Sequence, residues 1–295
     1  MPFCILLLFF QSPGFLAAED PLSRSDELYA ERRHEEAFEL LLGALDDPAY
    51  SSETWAIYWR LARHSLDSGD ERYEQGATAE ELLTWYSRGE EYADQALRLN
   101  PDAWQGYFWK ASSLARWAQA KGILNALFQA KTVRDLLSTV VRMYGDHGDT
   151  WYVLGILYQV LPGFPLSFGN KAYAVSLGRK SLEANRAEIA SGAAPGVRYG
   201  FYIELANHLW ARDWTIARRQ REWKSMASSY ESREDIFLKN CYYEGIVDIE
   251  AISDREEAKK ILREVIQDLT FRAFLTPLEK HDLGRARTIL STWES

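Results

Sequence analysis

The chain has 295 residues, of which 47% are hydrophobic and 26% are charged, and both proportions are ordinary for a soluble globular protein. Its formal net charge of −9 argues against a general nucleic-acid binder, because such a protein needs a basic surface to neutralise phosphates. Eleven tryptophans contribute to an aromatic fraction of 14%, and packed helical interiors and ligand-binding clefts both use such residues.

The N-terminal segment differs from the rest of the chain. Residues 3–10 form an uninterrupted apolar run that is too short to span a bilayer. The run resembles the core of a secretory signal peptide, with Ala18 before the cleavage site, although no Lys or Arg precedes it and Leu16 is large for the −3 position. A buried N-terminal strand or helix is the alternative. We predict a signal peptide at residues 1–18, a single helical domain at residues 19–295, and export to a bacterial periplasm.

Cysteine usage is consistent with this assignment but adds little to it. Cys4 lies in the predicted signal peptide, which leaves Cys241 as the lone cysteine of the mature chain. Neither an intramolecular disulfide nor a cysteine metal cluster is therefore expected. Cys4 is not preceded by a lipobox, so lipid anchoring at this position is unsupported.

Apolar residues at helical spacing predict one helix after another, with little strand signal. Residues 67–77 are polar and contain glycine, which predicts a loop. Asp254 and Glu257 predict a capping box at the start of a late helix, and the helix at 202–209 is expected to pair with the next one. The predicted helices cover residues 25–46, 52–66, 89–100, 107–114, 131–144, 151–158, 174–185, 202–209, 214–227, 233–250, 254–270 and 277–293.

Residues 151–158 carry the most informative motif, W-x-x-L-G-x-x-Y. The spacing places large residues on successive turns of one helix, with a glycine that allows a second helix to approach closely. This pattern is typical of the first helix of a tetratricopeptide repeat, a helical hairpin of about 34 residues. Such hairpins bury their apolar faces only by stacking, so the sequence predicts an all-α solenoid of tetratricopeptide-repeat-like hairpins with insertions and capping helices. The structural motif residues are Trp151, Leu154, Gly155 and Tyr158.

The connector at 159–170 is longer than an ordinary repeat turn by roughly seven residues. Phe164, Leu166 and Phe168 lie there among Pro and Gly. These side chains either fold back onto the array or form an exposed apolar patch for a partner or ligand. Together with Lys171 directly after the insert, they are candidates for partner or ligand binding.

A second candidate site is the aromatic cluster of Trp104, Tyr107, Trp109 and Lys110. One interpretation places the cluster on the wall of a ligand cavity, with Lys110 pairing with a ligand carboxylate. The other interpretation is core packing. The basic stretch from Arg212 to Lys224 contains two interleaved tryptophans, and either contacts an acidic partner or forms a solvated helix face.

The order of several motifs resembles the tetratricopeptide-repeat proteins associated with TRAP transporters, the TatT family, over about residues 85–270. Asn170 stands where that family usually has Asp, and the lipoprotein Cys expected after the signal peptide is missing. The matching pieces are Ala96-Leu97-x-x-Asn100-Pro101, then Trp104 with Tyr107-Phe108-Trp109-Lys110-Ala111 and Leu114-Ala115, then Val153-Leu154-Gly155-x-x-Tyr158-x-x-Leu161-Pro162 with Phe168-Gly169-Asn170-Lys171-Ala172, and finally Tyr202-x-x-Leu205-Ala206.

This resemblance implies a non-enzymatic periplasmic scaffold without a cofactor. Its partner would be the substrate-binding protein of a TRAP-type transporter, and it would form a trimer that binds or channels a small hydrophobic or carboxylate ligand. A generic repeat adaptor in envelope assembly is the first alternative.

The second alternative is an α/α-toroid glycoside hydrolase, which needs two carboxylates across an aromatic-lined cleft. No carboxylate pair stands out in the sequence. The chain also lacks an H-E-x-x-H pair, a phosphate-binding loop and a G-x-S-x-G elbow. The sequence therefore predicts neither catalytic nor metal-binding residues.

Overall fold

The computed structural model describes residues 20–295, and the predicted signal peptide lies outside the described residues. Within them the fold is all-α, without a strand. The helices are α1 (Pro21–Ala30), α2 (His34–Leu45), α3 (Thr54–Glu74), α4 (Ala79–Leu99), α5 (Trp104–Lys121), α6 (Ile123–Met143), α7 (Gly148–Val160), α8 (Lys171–Ser191), α9 (Tyr199–Arg212), α10 (Ile216–Glu231), α11 (Ile236–Asn240), α12 (Asp254–Thr270) and α13 (Pro277–Glu294), with 3₁₀ turns at Pro48–Tyr50 and Tyr243–Ile246.

Consecutive helices form stacked hairpins. The pairs α3–α4, α5–α6 and α7–α8 each pack along their length, and α4 and α8 pack in turn on the following helices α5 and α9. Each hairpin buries its apolar face against its neighbours, which is the packing expected of a repeat solenoid. The predicted fold class, stacked hairpins of the tetratricopeptide-repeat type with insertions and capping helices, is confirmed.

Several predicted boundaries were wrong. The predicted helix at 25–46 is two helices, separated at Arg32, whose φ is +58°. The predicted loop at 67–77 is mostly helical, because α3 continues to Glu74. A Cβ atom on Gly69 would lie 2.6 Å from the Tyr86 ring, so this glycine lets α4 pack closely against the last turns of α3.

The C-terminal third also departs from the prediction. The helix at 202–209 is part of α9, which packs mainly against α12, whereas α10 packs on the 3₁₀ turn at 243–246. The predicted helix at 233–250 is reduced to α11 and that turn. A Cβ atom on Gly245 would lie 2.2 Å from the Ala227 nitrogen, so the chain here follows the backbone of α10 too closely for a regular helix.

The capping box of α12 is shifted by one residue from the prediction. Ser253 is the N-cap and Glu256 returns the second hydrogen bond. Asp254 and Glu257, the predicted pair, instead face inward and accept hydrogen bonds from buried arginines. The N-cap of α8 is Asn170, whose Oδ1 accepts hydrogen bonds from the amides of Ala172 and Tyr173.

The C-terminal capping helix returns to the N-terminal part of the array. His281 Nε2 on α13 lies 3.6 Å from Glu74 Oε1 at the end of α3. The inner faces of α3, α5 and α7 therefore surround a common space. Among the described helices, none is both long enough and apolar enough to cross a membrane.

Candidate functional site

A cavity of about 370 Å³ lies between the inner faces of α3, α5 and α7. Its volume falls within the lower part of the range of small-ligand sites. The wall from α5 consists of Trp104, Phe108, Trp109, Ser112 and Arg116, with further residues at the ends of the helix. Aromatic and polar side chains thus share this wall.

The residues of α3 that line the cavity lie on one face of the helix. Trp59, Arg63 and Asp67 are spaced by four residues, so they lie above one another on the same face. Leu66 and Asp70 complete this wall, and α1 contributes Tyr29 beside it.

The opposite wall belongs to α7 and to the segments around it. Asp149, Tyr152 and Val160 face the cavity from α7, and Arg198 faces it from the residue before α9. Val160 is 58% exposed, which places it at the mouth of the cavity.

Each arginine of the cavity wall has an aspartate partner. Arg116 and Arg198 each have an aspartate of their own, whereas Arg63 shares Asp26 with Arg60. The pairs are Arg63 with Asp26 at 2.7 Å, Arg116 with Asp70 at 2.7 Å, and Arg198 with Asp149 at 2.9 Å.

Asp67 is the exception among the charged groups. Its Oδ2 atom is buried and accepts no hydrogen bond. Burial raises the pKa of Asp67 to about 7, and the nearby Asp70 carboxylate adds to the increase, while Arg63 opposes it. A buried carboxyl without a donor is costly, so this group stands out as a candidate for contacting a ligand.

His147, by contrast, has its interactions satisfied within the protein. Its Nδ1 lies 2.7 Å from Thr150 Oγ1, and its ring packs against Trp104 and Phe108 with centroid distances of 4.2 and 4.7 Å. Burial lowers the pKa of His147 to about 4. The ring is therefore neutral near pH 7 and supports the aromatic wall.

The structure separates the four residues of the predicted aromatic cluster. Trp104 and Trp109 line the cavity. Tyr107 is partly buried against the core, and it does not line the cavity. Lys110 Nζ donates a hydrogen bond to Asp94 on α4 at 2.6 Å, so its ammonium group is already paired, away from the cavity lining.

The candidate side chains of the insert also differ in their environments. Phe164 and Leu166 are 93% and 79% exposed, whereas Phe168 packs edge-on against Tyr158 with centroids 5.2 Å apart and lies under the Arg134 guanidinium. Lys171 is exposed at the start of α8. Phe168 therefore folds back onto the array, whereas Phe164 and Leu166 form an exposed apolar patch.

The motif residues at 151–158 occupy the centre of the core. Trp151, Leu154 and Tyr158 are buried, and Trp151 Nε1 donates a hydrogen bond to the Gly145 carbonyl at 2.7 Å. A Cβ atom on Gly155 would lie 2.8 Å from His208 Nε2. The glycine therefore allows the close helix approach that the motif predicts.

The basic stretch is not a single solvated face. Arg212 and Arg219 are buried in ion pairs with acidic residues, while Arg218 lies over the Trp214 ring. A wider depression beside α10, of about 700 Å³, is lined by Arg221 and its neighbours. It has fewer aromatic side chains than the cavity.

The residues that sequence reasoning missed are Trp59, Arg63 and Asp67. Their i, i+4, i+8 spacing was visible in the sequence, but Asp67 was assigned to a loop, which hid the common helical face. Within residues 20–295, no group of three or more His, Cys, Asp or Glu side chains has a geometry that could hold a metal ion.

Comparisons with known proteins show two partial similarities. The family model of regulator of microtubule dynamics protein 1-3 matches residues 22–161, which is less than half of the chain. Among solved structures, a thermophilic TPR protein of Thermus thermophilus is similar, with 16% identity, a TM-score of 0.48, and coverage of 77% of this chain and 97% of that one. No curated protein matches the chain by sequence. From the hairpins themselves, the chain is a helical protein of the tetratricopeptide-repeat type.

Proposed function

We propose that the chain is a non-enzymatic scaffold that binds a segment of a partner protein in the cavity between α3, α5 and α7. The observation that carries this proposal is the convergence of aromatic side chains from four helices on one partly enclosed space: Tyr29, Trp59, Trp104, Trp109 and Tyr152. Tyr and Trp dominate the binding energy of protein interfaces when they are desolvated in pockets. Repeat proteins commonly use their concave surfaces for such contacts.

The charges of the cavity favour binding over hydrolysis. A glycoside hydrolase needs two carboxylates, one as the acid and one as the base or nucleophile. Asp70 and Asp149 are each held by an arginine, which leaves Asp67 as the carboxyl with a buried oxygen, Oδ2, that accepts no hydrogen bond. A single such carboxyl suits recognition of a partner group.

The partner follows from the motif resemblance. In this proposal it is the substrate-binding protein of a TRAP-type transporter, met in a bacterial periplasm, with the scaffold acting as a trimer. Two segments support this choice of partner: the connector after Tyr158 and the aromatic cluster beginning at Trp104. Val160 of the connector and Trp104 and Trp109 of the cluster line the cavity. A generic envelope adaptor would use the same cavity for another protein.

The test is direct binding to that receptor by isothermal titration calorimetry, with two matched variants. Val160→Arg places a long cation at the mouth of the cavity on an exposed position, so we expect it to abolish binding without loss of thermal stability. Leu166→Arg places the same side chain on the exposed insert. Loss of binding in the second variant alone would assign the interface to the insert, and no binding at micromolar concentrations would refute the transporter partner.

The family match favours a second candidate, a role in regulating microtubule dynamics. The matched residues 22–161 include α1, α3, α5 and α7, which supply most of the cavity wall. Co-sedimentation with polymerised tubulin tests this role. Pelleting that is lost in the Val160→Arg variant would favour it, whereas no pelleting at low salt would exclude it.

A further inference from the structure

Four of the nine buried side-chain polar atoms without a hydrogen-bond partner in the described residues belong to the cavity wall. They are Trp59 Nε1, Arg63 Nε, Asp67 Oδ2 and Ser112 Oγ. Buried polar atoms in native proteins are nearly always paired, and the exceptions call for an explanation. A bound ligand that supplies the missing partners is such an explanation.

Three of these atoms follow one another along α3. Trp59 and Arg63 offer N–H donors. Asp67 offers an acceptor about one turn after Arg63 and two turns after Trp59. At 1.5 Å per residue, the eight residues from Trp59 to Asp67 correspond to about 12 Å along the helix axis. An extended peptide rises about 3.3 Å per residue, so about four of its residues span that distance.

Asp67 determines which charge a ligand should carry to supply the missing hydrogen-bond partners. The guanidiniums of the wall are already engaged with aspartates, Arg63 through Asp26, which it shares with Arg60. The carboxylate of Asp67 instead requires an N–H donor, and a charged donor forms the stronger hydrogen bond.

We propose that the cavity binds an ammonium-bearing peptide segment, whose ammonium donates to Asp67 while its carbonyls accept from Arg63 Nε and Trp59 Nε1. The ammonium comes from a lysine side chain or from a free amino terminus. This assignment rests on the proposed function, because it specifies which chemical group of the partner the cavity recognises.

Binding of this group depends on the ionisation of Asp67. Because burial holds the pKa of Asp67 at about 7, the free site is partly protonated at neutral pH, and binding of a lysine ammonium, which keeps its charge over this range, strengthens as the pH rises from 6 to 8. The other ionisable groups that face or surround this carboxyl are Tyr29 on α1, Arg32 after it, Arg63 and Asp70 on α3, Arg116 on α5, His147, Asp149 on α7, and Arg198. Burial keeps the pKa of His147 at about 4 and that of Tyr29 at about 12, so neither titrates in this range.

The test uses three synthetic peptides with the purified chain at pH 7, where an α-amino group is still mostly protonated, measured by isothermal titration calorimetry. Acetyl-Ala-Lys-Ala-amide carries a lysine ammonium, Ala-Ala-Ala-amide carries an amino-terminal ammonium, and acetyl-Ala-Gln-Ala-amide carries neither. At least one ammonium peptide should bind about tenfold more tightly than the glutamine peptide, because a charge-assisted hydrogen bond replaces a neutral one. The tighter of the two identifies the source of the ammonium.

Asp67→Asn is the matched variant, since it keeps the shape and removes the charge. It should reduce the preference for ammonium peptides to less than twofold. Asp94→Asn, which breaks the Lys110 ion pair outside the cavity lining, should leave the preference unchanged. If Asp67→Asn fails to fold, the wild-type preference for the lysine peptide at pH 6 and pH 8 decides, because the lysine ammonium keeps its charge over this range and the preference should increase with pH.

Equal binding of the three peptides, or a preference that survives Asp67→Asn, would overturn the inference. Receptor binding that is abolished by Val160→Arg but unaffected by Asp67→Asn would retain the proposed function and reject the ammonium contact. The two variants therefore distinguish failure of the proposed function from failure of the ammonium contact.

Discussion

Arg212 donates two hydrogen bonds to Asp254, from Nε to Oδ2 at 2.7 Å and from Nη2 to Oδ1 at 2.8 Å. The two residues are 42 positions apart and join α9 to the start of α12, and both side chains are almost fully buried. Glu244 from the 3₁₀ turn accepts a further hydrogen bond from Arg212 Nη2 at 3.0 Å. This charge network, which Arg179 also enters through Glu244, holds the C-terminal elements in an arrangement that differs from simple consecutive hairpins.

Removing one partner of this network should destabilise the protein strongly. Asp254→Ala leaves the Arg212 guanidinium buried and undercompensated, and we expect a loss of about 3–5 kcal/mol in the free energy of unfolding. Urea denaturation followed by circular dichroism measures it. Glu222→Ala, which breaks an exposed pair with Arg221, is the control and should cost less than about 1 kcal/mol. Similar losses in the two variants would show that the buried pair contributes no more to the free energy of unfolding than the exposed pair does.

Asp67→Asn should stabilise the protein more at pH 8 than at pH 5.5. The pKa of Asp67 is about 7 in the folded state against an ordinary value of 3.8, so the folded protein holds a proton that the unfolded chain releases. Its unfavourable contribution therefore grows as the pH rises from 3.8 to 7. Asparagine does not ionise and removes this contribution.

Thermal melts of the wild type and of Asp67→Asn at both pH values provide the measurement. Asp94→Asn, with an ordinary paired carboxylate, should show no such gain at pH 8. A variant advantage that is equal at the two pH values would contradict the assigned titration of Asp67. A gain in stability on removal of the charge would also fit a residue kept for binding, because functional groups are commonly retained at a cost in stability.

Buried histidines should make the protein lose stability as the pH falls below 6.5. Burial lowers the pKa of His34 and His147 to about 4, of His208 to about 3 and of His64 to about 2. Their unfolded forms take up protons near pH 6.5 while the folded forms do not, so stability is full above 6.5 and declines toward the folded pKa values. Each histidine contributes up to about 1.4 kcal/mol per pH unit, and Asp67 opposes them.

Urea midpoints at pH 7, 6 and 5 test this slope. His147→Gln should flatten it, because glutamine does not titrate in this range. His281→Gln, at a partly exposed position on α13, serves as the control for the substitution itself. An equal slope in the wild type and in His147→Gln would contradict the lowered pKa of His147.

Two phenylalanines of the insert should respond differently to the same substitution. Phe168→Ser removes a ring that packs against Tyr158 and beneath Arg134, and we expect a loss of about 2 kcal/mol or more. Phe164→Ser changes a side chain that is 93% exposed and should leave the melting temperature within about a degree or two. Calorimetric melting of both variants distinguishes them, and equal shifts would mean that the insert packs differently from the structure.

Local sequence determined the helices and the repeat motif. The apolar spacing of α5 through α9 and the small residue Gly155 are properties of neighbouring positions in the chain, so periodicity and helix-approach arguments were sufficient. The end of α3 was missed because Gly69 looks like a loop residue until Tyr86 is placed against it. The reason is physical: a helical glycine costs free energy locally and is compensated only by a contact from another helix.

Only the tertiary structure decided which charged groups are free to bind. The sequence made Lys110 a candidate for a ligand carboxylate, but α4 brings Asp94 to it. Asp67 was assigned to a loop, but it lies within α3, where its Oδ2 atom is buried without a donor. Helix formation depends on residues a few positions apart, whereas pairing and desolvation of a charge depend on residues far away along the chain. That difference in range explains why the sequence predicted the scaffold and only the folded chain revealed its site.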